Sequence, residues 1–324
     1  MTIKELFKVA PVTTLLLSSF IALFVMQVLT GVDANQPSTE SLLRWGANAF
    51  PFTMDDEPWR LISSGFLHIG LMHLLFNGFA MYFFGQIAEP MFGSVKFLAL
   101  FLLAVIGGNL LNSQLKWFWI LDTGIDINQH RIIEILGLSA GASGGIMGIG
   151  AALLVAAFFK MSVNGMMLNL RSLIFIMGIN LVYGFAVPGI DNAGHIGGAL
   201  TGLLIALPIA FAYRQRLRAQ QATTPTHQTD SAYHPPLTNI FDANSDHIPV
   251  NLDKNMTPNV YTDASADAAV NNRTIAPASN GLAILWQWLP WITMLIITVG
   301  FIWWWQDIHQ QFLQLVTATQ SLAR

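Results

Sequence analysis

Apolar residues along this chain gather into seven runs, at about 11 to 30, 64 to 86, 95 to 112, 143 to 159, 167 to 187, 194 to 213 and 284 to 305. A helix rises about 1.5 Å per residue, so about 20 residues cross a ~30 Å hydrocarbon core. Each run therefore predicts a membrane-spanning helix; the fourth is the shortest and begins at Ser143. The first run, behind Lys4 and Lys8, has the outline of a secretory signal. It is longer than a usual signal core and lacks a good small-x-small cleavage site before the acidic stretch that follows, so it is read as an uncleaved helix.

Residues 219 to 281 break the pattern: Thr, Pro, Asn, Asp, Ala and Ser dominate, as in "TTPTHQTD" and "TDASADAAVNN", and no periodicity persists. Such a segment buries too little apolar surface to offset its ordering entropy and is expected to be a disordered cytoplasmic linker. The expected organisation is a six-helix core over 1–213, a linker over 214–281, and a seventh helix with a short external tail over 282–324. "FIWWW" would anchor that helix at the outer interface. No internal repeat is evident between the two halves.

Composition confirms the solvent: 53% of the 324 residues are hydrophobic and 10% charged, against roughly 25% charged in soluble domains, and the mean hydropathy is +0.52. The absence of cysteine excludes disulfides and thiolate metal sites. Lys4, Lys8, Lys96, Lys160, Arg171, Arg214, Arg216 and Arg218 fall on one side of the alternating spans. Arg44, Arg60, Lys116 and Arg131 fall on the other, among seven carboxylates. The positive-inside bias then makes the N-terminus cytoplasmic and the C-terminus external.

Alternation of direction brings the starts of helices two, four and six to one depth, just below the external surface. Each start carries polar residues that are costly in hydrocarbon. Helix two has "HIGLMHLLFN", in which His73 and Asn77, four apart, share a face while His68, five before His73, points elsewhere. Helix four has Ser143 in "GLSAGASGGIMGIG", and helix six has His195 in "NAGHIGGALTG" beside a stripe of Gly194, Gly198 and Gly202. If the stripe packs on the glycine-rich start of helix four, His195 can take the proton of Ser143. Unpaired N–H groups at the first turn, with His73 and Asn77, would then supply an oxyanion hole.

Taken singly, each element has a plainer reading. "GASGG" also gives small-xxx-small pairs, Gly141 with Gly145 and Gly144 with Gly148, which are more often helix packing than catalysis. His195 alone reads as an interfacial or core histidine, and His73 with Asn77 as a hydrogen-bonded pair; their convergence with Ser143 favours a site. No HExxH occurs and no aspartate pair lies in mid-membrane. A soluble hydrolase elbow would need a strand before Ser143. Asp191, four before His195, could orient it, but a turn-forming role in "PGIDNAG" is favoured.

These residues resemble the rhomboid family of intramembrane serine proteases. Gly141-Ala142-Ser143-Gly144 is similar to its GxSG, His73 to Asn77 to its HxxxN, and "AGHIGGALTG" to its AHxxGxxxG. Trp59-Arg60 is similar to the Trp-Arg pair of the first external loop, and Gly85, Glu89 and Gly93 to GxxxExxxG. The resemblance covers residues 11 to 213 and implies an all-α, six-helix core with a seventh helix of the "6+1" subclass, in a bacterial inner membrane. It implies a Ser143–His195 dyad without an essential aspartate, and an oxyanion hole from His73, Asn77 and the Ser143 backbone N–H. It implies single-span membrane proteins as substrates within the lipid bilayer, with no cofactor, metal or nucleic acid. Met147 departs from a Tyr that some bacterial members stack on the histidine. The 219–281 linker could bind cytosolic partners or simply be tolerated. Two rivals are an inactive rhomboid-like binder of membrane helices, which should lack Ser143 or His195, and a transporter, which would need ionisable residues in mid-membrane.

Overall fold

The computed structural model describes residues 2–124, 137–163, 166–186, 190–223 and 281–322. A short α1 (Ile3–Val9) leads into α2 (Pro11–Leu29). The connection to the next long helix carries α3 (Thr39–Arg44), α4 (Phe50–Asp55) and α5 (Arg60–Ser63), the last running into a 3-10 turn. Then follow α6 (Leu71–Phe92), α7 (Ser94–Thr123), α8 (Ser143–Phe158), α9 (Leu170–Ala186), α10 (Asn192–Thr223) and α11 (Gly281–Leu322). Between α8 and α9, Ser162–Val163 pairs antiparallel with Met166–Met167.

By length and composition α2, α6, α7, α10 and α11 can cross a membrane, and α8 and α9 are shorter apolar helices. The chain is thus an all-α, multi-pass membrane protein. The apolar runs misjudge several helix ends. The second run begins at 64, yet α6 starts only at Leu71, because residues 64–66 form a 3-10 turn and Gly70 takes φ +88°. α7 and α11 extend past their runs through polar residues such as Gln114 and Gln311. α10 likewise continues to Thr223, ten residues beyond the expected core; residues 224–280 lie outside the described residues.

α8 and α10 meet backbone to backbone. A Cβ on Gly198 would collide with the carbonyl oxygen of Gly144, and one on Gly202 with that of Gly148. α10 is equally close to α7, since a Cβ on Gly108 would lie 2.6 Å from the Gly194 carbonyl oxygen and one on Gly197 2.6 Å from that of Gly107. Glycine is the residue that permits such approach, and in lipid, where apolar burial between helices drives little, close packing supplies the attraction.

Away from this contact, Glu89 joins α6 to α2. Its buried carboxylate accepts from the backbone N–H groups of Val12 (2.9 Å) and Thr13 (2.7 Å), the Thr13 hydroxyl (2.8 Å) and the Ser94 hydroxyl (2.6 Å). The two N–H groups are orphan donors of the first turn of α2, at the positive end of its dipole. Gly85 leaves room for the Thr13 side chain, and Gly93 (φ +83°) turns the chain from α6 into α7. The GxxxExxxG pattern is therefore a helix cap supplied by a neighbouring helix.

Gly198→Ala is expected to destabilise the folded protein by about 1–3 kcal/mol, because α8 and α10 must separate to admit the methyl group. Gly300→Ala, where nothing lies within 4 Å of an added Cβ, is expected to unfold with the wild type in detergent thermal melts.

Candidate active site

Ser143 is the first residue of α8. The chain that delivers it is pinned from outside the helix: Ser139 exchanges both backbone hydrogen bonds with Asn48, each 2.9 Å, and the Gly141 N–H donates to the Ser64 carbonyl at 2.9 Å. Ala142 is fully buried while Ser143 is half-buried. A cavity of about 10 Å³, room for a single water, lies beside Ser143 and is lined by Gly141, Gly144, Asn109, Asp191 and Gly194 among others.

His73, the third residue of α6, reaches this chain from the side. A Cβ on Gly141 would lie 2.6 Å from His73 Cε1 and 2.9 Å from Nε2. The Ile69 N–H donates to His73 Nδ1 at 3.2 Å, so in the neutral ring Nε2 carries the proton, and it is the nitrogen on the Gly141 side. Asn77 is buried one turn on and donates from Nδ2 to the His73 carbonyl at 3.1 Å. His68 differs from expectation. It precedes α6, so helical spacing does not turn it away; the residue is buried and its ring meets His73 edge-on at 5.4 Å.

His195 lies in the first turn of α10, which Asp191 caps. Asp191 Oδ1 accepts from the Gly194 N–H at 2.8 Å, and its carbonyl accepts from the His195 N–H at 3.1 Å. The favoured turn-forming role thus becomes a helix N-cap. Among the described residues no hydrogen bond joins Asp191 to the His195 ring or Ser143 Oγ to His195, and His195 Nδ1 is buried without a partner. What brings the two helix starts level is Gly144, whose Cβ would lie 3.2 Å from the Gly194 carbonyl oxygen.

Trp59 and Arg60 do different work. Trp59 is exposed, and its ring fills the space over Gly46. Arg60 is buried, pairs with Glu57, and donates to the carbonyls of Leu43 (2.7 Å) and Ala47 (3.0 Å), tying the α3–α4 loop to α5. Asn109 went unnoticed in the sequence. It donates to the Leu61 carbonyl at 2.9 Å and the Ser64 hydroxyl at 2.8 Å, holding the segment on which Gly141 rests. The signal was available, an amide inside the apolar run 95 to 112.

Fold and site together define a polytopic helical bundle with a serine at one helix start and histidines from two others around it. A model of the rhomboid domain matches residues 55–211. Rhomboid protease GluP of Bacillus subtilis is 37% identical over 205 residues, covering 61% of this chain and 36% of that protein. Rhomboid protease AarA of Providencia stuartii is 31% identical over 177 residues, 52% of this chain and 61% of its own length. RHOMBOID-like protein 2 of Arabidopsis thaliana is 28% identical over 216 residues, 66% and 62% respectively. Residues 55–211 thus match the rhomboid family, and these relatives carry its name. It spans 36% to 62% of the length of these relatives.

Replacing Asp191 by Ala removes the cap and is expected to cost about 0.5–2 kcal/mol of stability. Asp191→Asn keeps an accepting oxygen, so its unfolding midpoint in detergent should match the wild type.

Proposed function

We propose that this protein is an intramembrane serine protease that cleaves single-span membrane proteins near the external face of a bacterial inner membrane, with its own N-terminus cytoplasmic and its C-terminus external. The observation that carries the reading is the contact of Gly144 with the Gly194 carbonyl. It brings the first turns of α8 and α10 together, with Ser143 beside a water-sized cavity, and so supports a Ser143–His195 pair.

In this reading His195 takes the proton of Ser143 Oγ as the oxygen attacks the substrate carbonyl carbon. The negative charge that develops on the carbonyl oxygen is met by the Ser143 N–H, unpaired at the helix start, by His73 Nε2–H and by the Asn77 amide. Collapse breaks the C–N bond, and the amine leaves with the proton from His195. Water admitted beside Ser143 then hydrolyses the acyl-enzyme, with His195 again as the base. Catalytic hydrogen bonds in free enzymes are often long and tighten around the substrate, which accommodates the open Ser143–His195 pair. No cofactor or metal takes part. The inactive-binder reading predicts loss of Ser143 or His195, and the chain retains both.

A helical carbonyl is already hydrogen-bonded, and exposing backbone in hydrocarbon costs several kcal/mol per group. The substrate should therefore unwind easily near Ser143, with Gly or Pro a few positions into its helix and a small residue before the cut. The 219–281 linker, mostly outside the described residues, would face cytosolic partners.

Purified wild type and Ser143→Ala should be incubated with a panel of single-span proteins and the products mapped by mass spectrometry. Cleavage by the wild type alone, suppressed when substrate helix breakers become Leu, is the expected result; cleavage by both proteins would refute the assignment. His195→Ala should be as inactive as Ser143→Ala, and the double variant no worse. His73→Ala and Asn77→Ala should each lower kcat by roughly 10² to 10³ with KM little changed; unaltered turnover would return both to a packing role.

A further inference from the structure

The role of the seventh helix is not explained by any residue of the site, since Ser143, His195, His73 and Asn77 all lie on α6, α8 and α10. Its contacts supply one. α4 is a helix of six residues whose last carbonyls have no partner within the helix. Two of them are capped from α11: Trp305 Nε1–H donates to the Thr53 carbonyl at 2.9 Å, and His309 Nδ1–H to the Met54 carbonyl at 2.6 Å. Trp305 and His309 are one helical turn apart and their rings stack at 4.8 Å, so the two donors form one rigid fork.

From α4 the contact continues to the nucleophile without a gap. Thr53, fully buried, accepts from Trp305 at its carbonyl and donates from its hydroxyl to Asn48 Oδ1 at 2.8 Å. Asn48 in turn exchanges both backbone hydrogen bonds with Ser139, four residues before Ser143. Packing follows the same line: Phe50 of α4 stacks on Trp117 of α7 at 5.9 Å and meets Phe312 of α11 edge-on at 5.5 Å.

We propose that α11 is a positioning element for Ser143, in which Trp305 and His309 cap α4 and, through Thr53 and Asn48, fix the backbone that presents the nucleophile. This rests on the protease reading above. "FIWWW" accordingly holds more than a lipid interface. Trp303 is exposed, but Trp304 donates to Gln114 Oε1 at 2.7 Å and Trp305 to α4. Trp304 docks α11 on α7 and, unlike Trp305 and His309, caps no carbonyl of α4, which makes it the control for docking alone.

The test compares His309→Ala, His309→Asn and Trp304→Phe in the full chain. Because misplacing reacting groups by about 1 Å costs up to about 10²-fold, His309→Ala is expected to lower kcat by about ten- to a hundredfold. KM and the unfolding midpoint should be retained. His309→Asn, whose amide nitrogen can take the place of Nδ1, should restore most of the rate. Trp304→Phe should leave kcat near wild type. Amide hydrogen exchange supplies a readout independent of cleavage: Asn48, Ser139 and Gly141 should exchange faster in His309→Ala than in either other protein. Wild-type kcat in His309→Ala, equal losses in His309→Ala and Trp304→Phe, or unchanged exchange at Ser139 and Gly141 would each overturn the proposal. A wild type that cleaves nothing, with the exchange pattern as expected, would instead remove the protease reading and leave the coupling standing.

Discussion

The arrangement depends on two stretches of helix touching through their backbones. Gly144 and Gly148 on α8 face Gly198 and Gly202 on α10, at a separation that a single methyl group would abolish. Everything at the site inherits its position from that separation. The first turn of α8 holds Ser143, that of α10 holds His195, and α7 packs on both, on α10 through Gly107 and Gly108 and on α8 through Ala104. A leucine-lined contact would hold these helices farther apart, at the usual 8–10 Å between axes, and the two helix starts would separate.

A second constraint acts from outside the helices. The connection between α2 and α6 is not a loose loop: buried Arg60 gathers the carbonyls of Leu43 and Ala47, and Asn48 pairs with Ser139. Asn109 anchors Leu61 and Ser64 from below. The residues just before Ser143 are thereby held by segments distant in sequence.

Much of this was legible in the sequence, and the failures share a cause. Apolar runs located the long helices, and the four-residue glycine spacing of 194, 198 and 202 located the contact with α8. Periodicity also put His73 and Asn77 on one face. Hydropathy measures affinity for lipid, however, not helicity. It therefore missed the polar continuations of α7 and α11, whose Gln114 and Gln311 are satisfied by tryptophans of the opposite helix. It placed His68 on a helix that Gly70 delays, and it read Trp304 and Trp305 as lipid anchors when their N–H groups are spent inside the protein. Hydrogen bonds between segments far apart in the chain leave no period to read. Asn48, Ser64 and Asn109 belong to that class.

The length of α11 sets a boundary on traffic around the molecule. At about 1.5 Å per residue, its 42 residues reach about 63 Å, twice the thickness of a hydrocarbon core, and it lies along α7, α10 and α4. That flank is occupied from one side of the bilayer to well beyond the other. A membrane helix diffusing laterally in lipid would meet a wall there, whereas α6 and α9 leave Phe79, Phe83, Phe175 and Val182 exposed.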